Sequence, residues 1–171
     1  MNISVVLLNA DYSVLGCIDW KKAIKLIVKK RVEVVKVSKR IIHNFENTVE
    51  IAIPTIVRLI KFIRALWRTK VPYSKRSVLI RDNFTCSYCG VQSKTGLSID
   101  HVVPKSKGGK SVFENVVTSC LKCNNLKNDF SCAEAKMYPR VKPFIPTINQ
   151  FLMTSIRNAG LEDTLKEVFG E

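Results

Sequence analysis

The chain has 171 residues, 46% of them apolar and 25% charged. That suits one ordinary domain, or a small catalytic module with an accessory region, and argues against wholesale disorder. Twenty-eight Lys and Arg outnumber fourteen Asp and Glu, a formal charge of +14, which favours a polyanionic partner, nucleic acid ahead of an anionic membrane surface, over a small acidic substrate.

In chain order, Ile3 to Leu8 reads as a buried strand. Asp19 is placed to cap a helix running to Lys30, with Trp20, Ala23, Ile24, Ile27 and Val28 on one face. The lysines at 21, 22, 25 and 29 lie elsewhere and read as a solvated face. Val32 to Val37 and Thr48 to Ile53 read as strands, the second ended by Pro54. Thr55 to Trp67 then has helical spacing, with Leu59, Ile60, Ile63, Leu66 and Trp67 apolar. Arg58, Lys61, Arg64 and Arg68 form a basic stripe on it, which either follows a DNA backbone or is a wet face. Those cations interrupt the most apolar stretch, Ile51 to Trp67, so it lacks the roughly 20 apolar residues of a membrane span. Met1 to Trp20 carries Asp11 and Asp19 and no basic start, unlike a secretory signal. The expected location is a reducing cytoplasm, where six cysteines need an explanation other than disulfides.

Three stretches follow: a basic N-terminal accessory region, 1–70; a Cys- and Gly-rich module, 71–138; and a connector with C-terminal helices, 139–171. The middle stretch has weak periodicity and many turn residues, so it needs a staple beyond an apolar core. In the third, Pro139, Pro143 and Pro146 extend the chain. Thr147 with Gln150 makes a capping box for a helix that Gly160 ends. A last helix puts Leu161, Leu165, Val168 and Phe169 on one face, to dock on the chain's own core or on a second copy in a homodimer.

Cys86-Ser-Tyr-Cys89-Gly and Cys120-Leu-Lys-Cys123-Asn are two CxxC pairs some thirty residues apart. Two such pairs supply four thiolates for tetrahedral zinc, and a site closed by four cysteines is structural rather than catalytic. Cys17 and Cys132 have no partner at useful spacing and read as small core residues.

Between the pairs lie Asp100-His101, the Gly108-Gly109 loop with Lys105, Lys107 and Lys110, and Asn115; Asn124 and Lys127 follow. Phosphodiester hydrolysis needs an activated water, a cation on the phosphate and help for the leaving oxygen. A neutral imidazole takes a water's proton near pH 7. Of the two histidines, His43 sits in a polar turn without ligand spacing, whereas His101 follows a carboxylate. On a strand the two side chains point to opposite faces, so they can approach one phosphate from different sides.

With Arg76 and Arg81-Asp82-Asn83 upstream, these motifs resemble those of HNH endonucleases, whose fold is the ββα-metal module. Leu8-Asn9-Ala10-Asp11-Tyr12, Ile18-Asp19-Trp20-Lys21-Lys22-Ala23-Ile24 and Val32-Glu33-Val34-Val35 are similar to the N-terminal region of small stand-alone bacterial and phage members. The resemblance implies an α+β fold: an HNH module stapled by zinc on Cys86, Cys89, Cys120 and Cys123, behind an α+β accessory region and before C-terminal helices. It implies His101 as general base, Asp100 as acidic metal ligand, and Asn115 as the residue holding the inter-strand loop. Asn124 stands where many members have a histidine, and becomes the second metal ligand. Asn128, one helical turn further on, would add a water-mediated contact. Oxygen donors on Asp100 and Asn124 favour Mg²⁺ or Mn²⁺. Lys105, Lys107, Lys110, Lys127, Arg76 and Arg81 are the nucleic-acid contacts this reading selects.

The implied function is metal-dependent hydrolysis of DNA, duplex first, by one ion. A non-catalytic zinc-containing nucleic-acid binder and a junction resolvase are the competing readings. No recognition helix or aromatic RNA-binding sheet is legible, so sequence-specific readout has no support. Residues 1–70 hold 14 basic and 5 acidic side chains, 71–138 hold 10 and 5, and 139–171 hold 4 and 4. The grip on a polyanion is therefore expected mainly from the N-terminal stretch.

Overall fold

A computed structural model of the chain describes residues 3–43, 46, 48, 50–63 and 70–170. It divides into two compact units, Met1–Trp67 with Ser155–Glu171, and Arg68–Thr154.

The first unit is a four-stranded sheet with helices on both faces. Its elements are β1 (Ser4–Leu8), β2 (Val14–Asp19), α1 (Trp20–Val28), β3 (Val32–His43) and β4 (Glu50–Leu59). The strand order is β2-β1-β4-β3; β1 runs parallel to β4, and the other pairs are antiparallel. Alternation along β1 divides the core. Val5 joins Ala23, Val32 and Val57 under α1. Val6 and Leu8 join Ile56, Ile156 and Leu161 on the opposite face.

Helix α1 starts where Asp19 accepts from the Lys21 N–H, as expected. Its apolar face is shifted, however: Leu26 packs on the core beside Trp20 and Ile27, while Val28 is 75% exposed. Two expectations are corrected. Pro54 does not end its strand, and Thr55 does not start a helix; β4 runs through both. Pro54 is opposite Val37, where the β3–β4 register shifts, and a proline without an N–H is tolerated at such an irregularity. Ile56 and Val57 are each fully buried, on opposite faces of a central strand. β-Branched residues buried on both faces suit a strand, and this overrides the helical spacing. Ile60 and Ile63 beyond it are 48% and 41% exposed, Arg58 pairs with Glu33, and Arg64, Leu66, Trp67 and Arg68 lie outside the described residues. The basic stripe thus loses its helical basis.

The hairpin into β2 is closed by the Asn9 backbone, which donates to the Ser13 carbonyl (2.8 Å) and accepts from the Tyr12 N–H (3.0 Å). The buried Asn9 side chain clamps the Ile63 backbone, donating to its carbonyl (2.9 Å) and accepting from its N–H (3.0 Å). The last helices follow the expected caps. In α5 (Ile148–Ala159) Thr147 and Gln150 exchange hydrogen bonds, and Gly160 follows at φ +66°. Beyond it, Leu161 at the head of α6 (Glu162–Phe169), and Leu165 and Val168 within it, pack against the sheet with Cys17. That face is therefore used within the chain.

The second unit holds α2 (Lys75–Arg81), β5 (Leu97–His101), β6 (Val116–Cys120), α3 (Leu121–Lys127), α4 (Cys132–Ala135) and the start of α5. Its core is small: Val71, Val78, Phe113 and Val116, with Ile99, Ile148 and Phe151 against them. Arg81 compensates for that. Its buried guanidinium donates to the carbonyls of Phe113 (2.7 Å), Val116 (2.8 Å) and Phe144 (2.9 Å) and pairs with Asp82 (2.7 Å). Asp82 in turn accepts from the Thr118 N–H. Arg81 is thus a buried tie between segments, and not the DNA contact expected of it.

Removing one partner of a buried charged network costs about 3–5 kcal/mol. Arg81→Ala should lose that much in denaturant unfolding of zinc-loaded protein, and a loss below about 1 kcal/mol would contradict the role given to Arg81.

Candidate active site

The four cysteines arrive on two turns. The first pair sits in the turn where Cys86 N–H donates to Val91 O and Gly90 N–H to Cys86 O, with Gly90 at φ +81°. The second sits at the end of β6, where the Cys120 sulfur caps α3 by accepting from the Cys123 N–H. The four sulfurs lie within 4.8 Å of one another, and those of Cys89 and Cys120 are 3.8 Å apart. Tetrahedral zinc with bonds of about 2.3 Å sets its sulfurs roughly 3.8 Å apart, so the cluster is consistent with zinc. Burial raises the Cys86 thiol, but the N–H groups of Cys89, Cys120 and Tyr88 outweigh it and bring it down to about 6. Burial and neighbouring thiols push Cys123 up to about 12. A bound cation would let both exist as thiolates together. Arg140 straps the first turn, donating to the carbonyls of Tyr88 (3.1 Å) and Cys89 (2.8 Å).

Strands β5 and β6 pair from Leu97↔Cys120 to His101↔Val116, so the zinc turn and the Asp-His pair lie at opposite ends of one two-stranded ribbon. The connection between the strands is clipped by Asn115. Its Oδ1 accepts from the Val103 N–H (2.9 Å), and its Nδ2 donates to the carbonyls of Val103 (3.1 Å) and Lys110 (2.9 Å). Asn115 thus bridges Val103 and Lys110 across the connection. Gly109 is needed there, because a Cβ would lie 1.8 Å from the Val103 oxygen.

His101 Nε2 is 2.9 Å from Ser111 Oγ on that loop. If Nε2 carries the proton and donates to Ser111, Nδ1 keeps its lone pair. Burial and Lys105 push the imidazole below its ordinary value, with Asp100 pulling the other way, so the ring is neutral near pH 7.

Asp100 is buried. Its Oδ2 accepts from Tyr88 Oη at 2.5 Å and pairs with Lys127 Nζ at 3.0 Å, while Oδ1 has no partner among the described residues. Lys127 is fully buried and also donates to the His101 carbonyl at 2.8 Å. Its charge is spent inside the module, which corrects its expected contact with phosphate. Asn124 lies three residues before Lys127 in α3, on the same helical face, half-buried and with no side-chain hydrogen bond among the described residues. Asn128 caps α3 one turn beyond Asn124, its N–H donating to the Asn124 carbonyl at 2.8 Å, and the chain leaves the helix there at φ +46°. A free carboxylate oxygen and a free amide are hard donors, and they fit Mg²⁺ or Mn²⁺ better than a soft ion.

Lys105, Lys110 and Arg76 are exposed and carry no ion pair among the described residues. Lys107 is exposed but pairs with Glu134, the capping-box residue of α4. Cys132 lies nearby, its thiol 3.8 Å from the Val102 carbonyl. His43 ends β3 facing Glu50 on the surface, away from any ligand cluster. Sequence reasoning missed Tyr88, Ser111 and Arg140. Tyr88 sits inside a CxxC, where its place in the motif was readable but its reach to Asp100 was not.

Elemental analysis should find one zinc per chain. Cys120→Ser should lower that content and weaken the tertiary structure of residues 68–154, because the core there is small. Native-like near-UV dichroism after complete zinc removal would contradict this.

Two family models match the chain: the HNH endonuclease over residues 86–130, and the HNH endonuclease-associated N-terminal domain over residues 5–67. No curated protein matches it. The first match spans both cysteine pairs, Asp100, His101, Asn115 and Asn124, so the chain carries an HNH endonuclease domain preceded by an HNH endonuclease-associated N-terminal domain.

Proposed function

We propose that the chain is a metal-dependent DNA endonuclease that hydrolyses phosphodiester bonds with His101 as general base. The observation that carries this reading is the Asp100-His101 pair at the end of β5: a carboxylate with one oxygen unengaged, next to a neutral imidazole braced by Ser111. In this reading His101 Nδ1 accepts the proton of the attacking water. The water oxygen forms the new bond to phosphorus as the bond to the 3′ oxygen breaks, and the 3′ oxygen takes a proton from solvent, leaving 5′-phosphate and 3′-hydroxyl ends. Asp100 Oδ1 and the Asn124 amide oxygen would hold the divalent ion, which when bound supplies positive charge at the phosphate and the leaving oxygen. Asn115 keeps the loop bearing Ser111 in register with the base.

Lys105, Lys110 and Arg76 remain as candidate phosphate contacts, with the basic residues of the N-terminal unit supplying the wider attraction to duplex. Lys107 could join them only by leaving Glu134.

Plasmid and four-way-junction substrates with Mg²⁺ or Mn²⁺ test the reading. Cleavage is expected, and His101→Ala should slow it about 10²- to 10⁴-fold. Salt-sensitive binding without cleavage under any metal would favour a non-catalytic zinc protein. A strong preference for the junction would favour a resolvase.

Each lysine that contacts phosphate adds about 0.9 to the salt slope of the binding constant on duplex. Lys105→Ala with Lys110→Ala should therefore reduce that slope by about 1 to 2, and an unchanged slope would remove both from the contact surface.

A further inference from the structure

Asp100 receives a donor that the family pattern did not identify. Tyr88, between the zinc cysteines Cys86 and Cys89, places its hydroxyl 2.5 Å from Asp100 Oδ2. The backbone beneath Tyr88 is fixed on several sides. Its carbonyl and that of Cys89 accept from the Arg140 guanidinium, the Ser87 carbonyl accepts from the Arg140 N–H, and the Ser87 N–H donates to Thr118 O. The phenol is half-buried, and its O–H faces a carboxylate oxygen that can only accept, so it donates to Asp100. Lys127 approaches the same oxygen from α3.

A carboxylate can turn about its Cβ–Cγ bond and offer either oxygen, or both, to a cation. Two fixed donors on Oδ2 remove that freedom. The oxygen left over is then presented singly, which suits an ion that holds a near-octahedral shell and keeps several waters.

We propose that Tyr88 is a positioning residue for the catalytic ion: its hydroxyl, anchored in the zinc turn, orients Asp100 so that Oδ1 alone faces the ion. This rests on Asp100 being a ligand, as in the proposed function. It gives the structural zinc a second task, because the turn that binds zinc also aims the carboxylate. Hydrogen bonds of this kind to metal ligands are typically worth about 10- to 100-fold in metal affinity.

The test uses full-length, zinc-loaded protein without DNA, titrated with Mn²⁺ while free ion is read by electron paramagnetic resonance. Three chains are compared: wild type, Tyr88→Phe and Asp100→Asn. Zinc content and unfolding temperature are measured on each. Tyr88→Phe should keep one zinc and the wild-type unfolding temperature, yet bind Mn²⁺ about 10- to 100-fold more weakly. Wild-type Mn²⁺ affinity in Tyr88→Phe, with weakened binding in Asp100→Asn, would overturn the proposal and leave the ligand assignment intact. Unchanged affinity in both variants would overturn the ligand assignment and this proposal with it. Loss of zinc from Tyr88→Phe would assign the hydroxyl to the zinc turn and overturn the positioning role.

Discussion

A buried ammonium facing a buried carboxylate organises the nuclease unit. Lys127 is fully buried, and its Nζ lies 3.0 Å from Asp100 Oδ2 and 2.8 Å from the His101 carbonyl. Neither charge can stay buried alone at tolerable cost. Satisfying them therefore forces α3 against the end of β5. The helix begins at a zinc cysteine and carries Asn124 one turn before the lysine. One ion pair thus fixes the second proposed oxygen donor relative to the first. It also brings the helix that starts at the cysteine cluster onto the strand that bears His101.

The rest of the unit compensates for a small core by tying backbone carbonyls to side-chain donors. Arg81 binds three of them, Lys127 one, Asn115 two, and Arg140 two at the zinc turn. Such ties are directional, which suits a module that must aim side chains rather than merely exclude water. The N-terminal unit works differently. Its sheet packs against the apolar sides of amphipathic helices on both faces, and among the described residues none of its lysines and arginines is buried. The uneven charge of the sequence therefore maps onto a division of labour: a broad basic surface, and a site where several cations are buried or paired.

What was legible in the sequence follows from local rules. The CxxC spacing encodes coordination geometry, Asp19 and Thr147 encode caps, and Asp100-His101 encodes two faces of a strand. What failed depended on packing. The helix expected from Thr55 dissolved because Ile56 and Val57 are buried on both faces of a central strand. Arg81 and Lys127 read as DNA contacts because a sequence shows charge and not burial. Tyr88 and Ser111 reach Asp100 and His101 at sequence separations of 12 and 10, a pairing that no periodicity announces.

The central claim is that Lys127 and Asp100 act as one buried unit, and a double-mutant cycle in denaturant unfolding tests it most directly. Lys127→Met alone should lose about 3–5 kcal/mol, because Asp100 is left buried without its partner. Lys127→Met with Asp100→Asn should lose clearly less than the sum of the single changes, the signature of direct coupling. Additive losses, or a Lys127→Met chain within about 1 kcal/mol of wild type, would contradict the account.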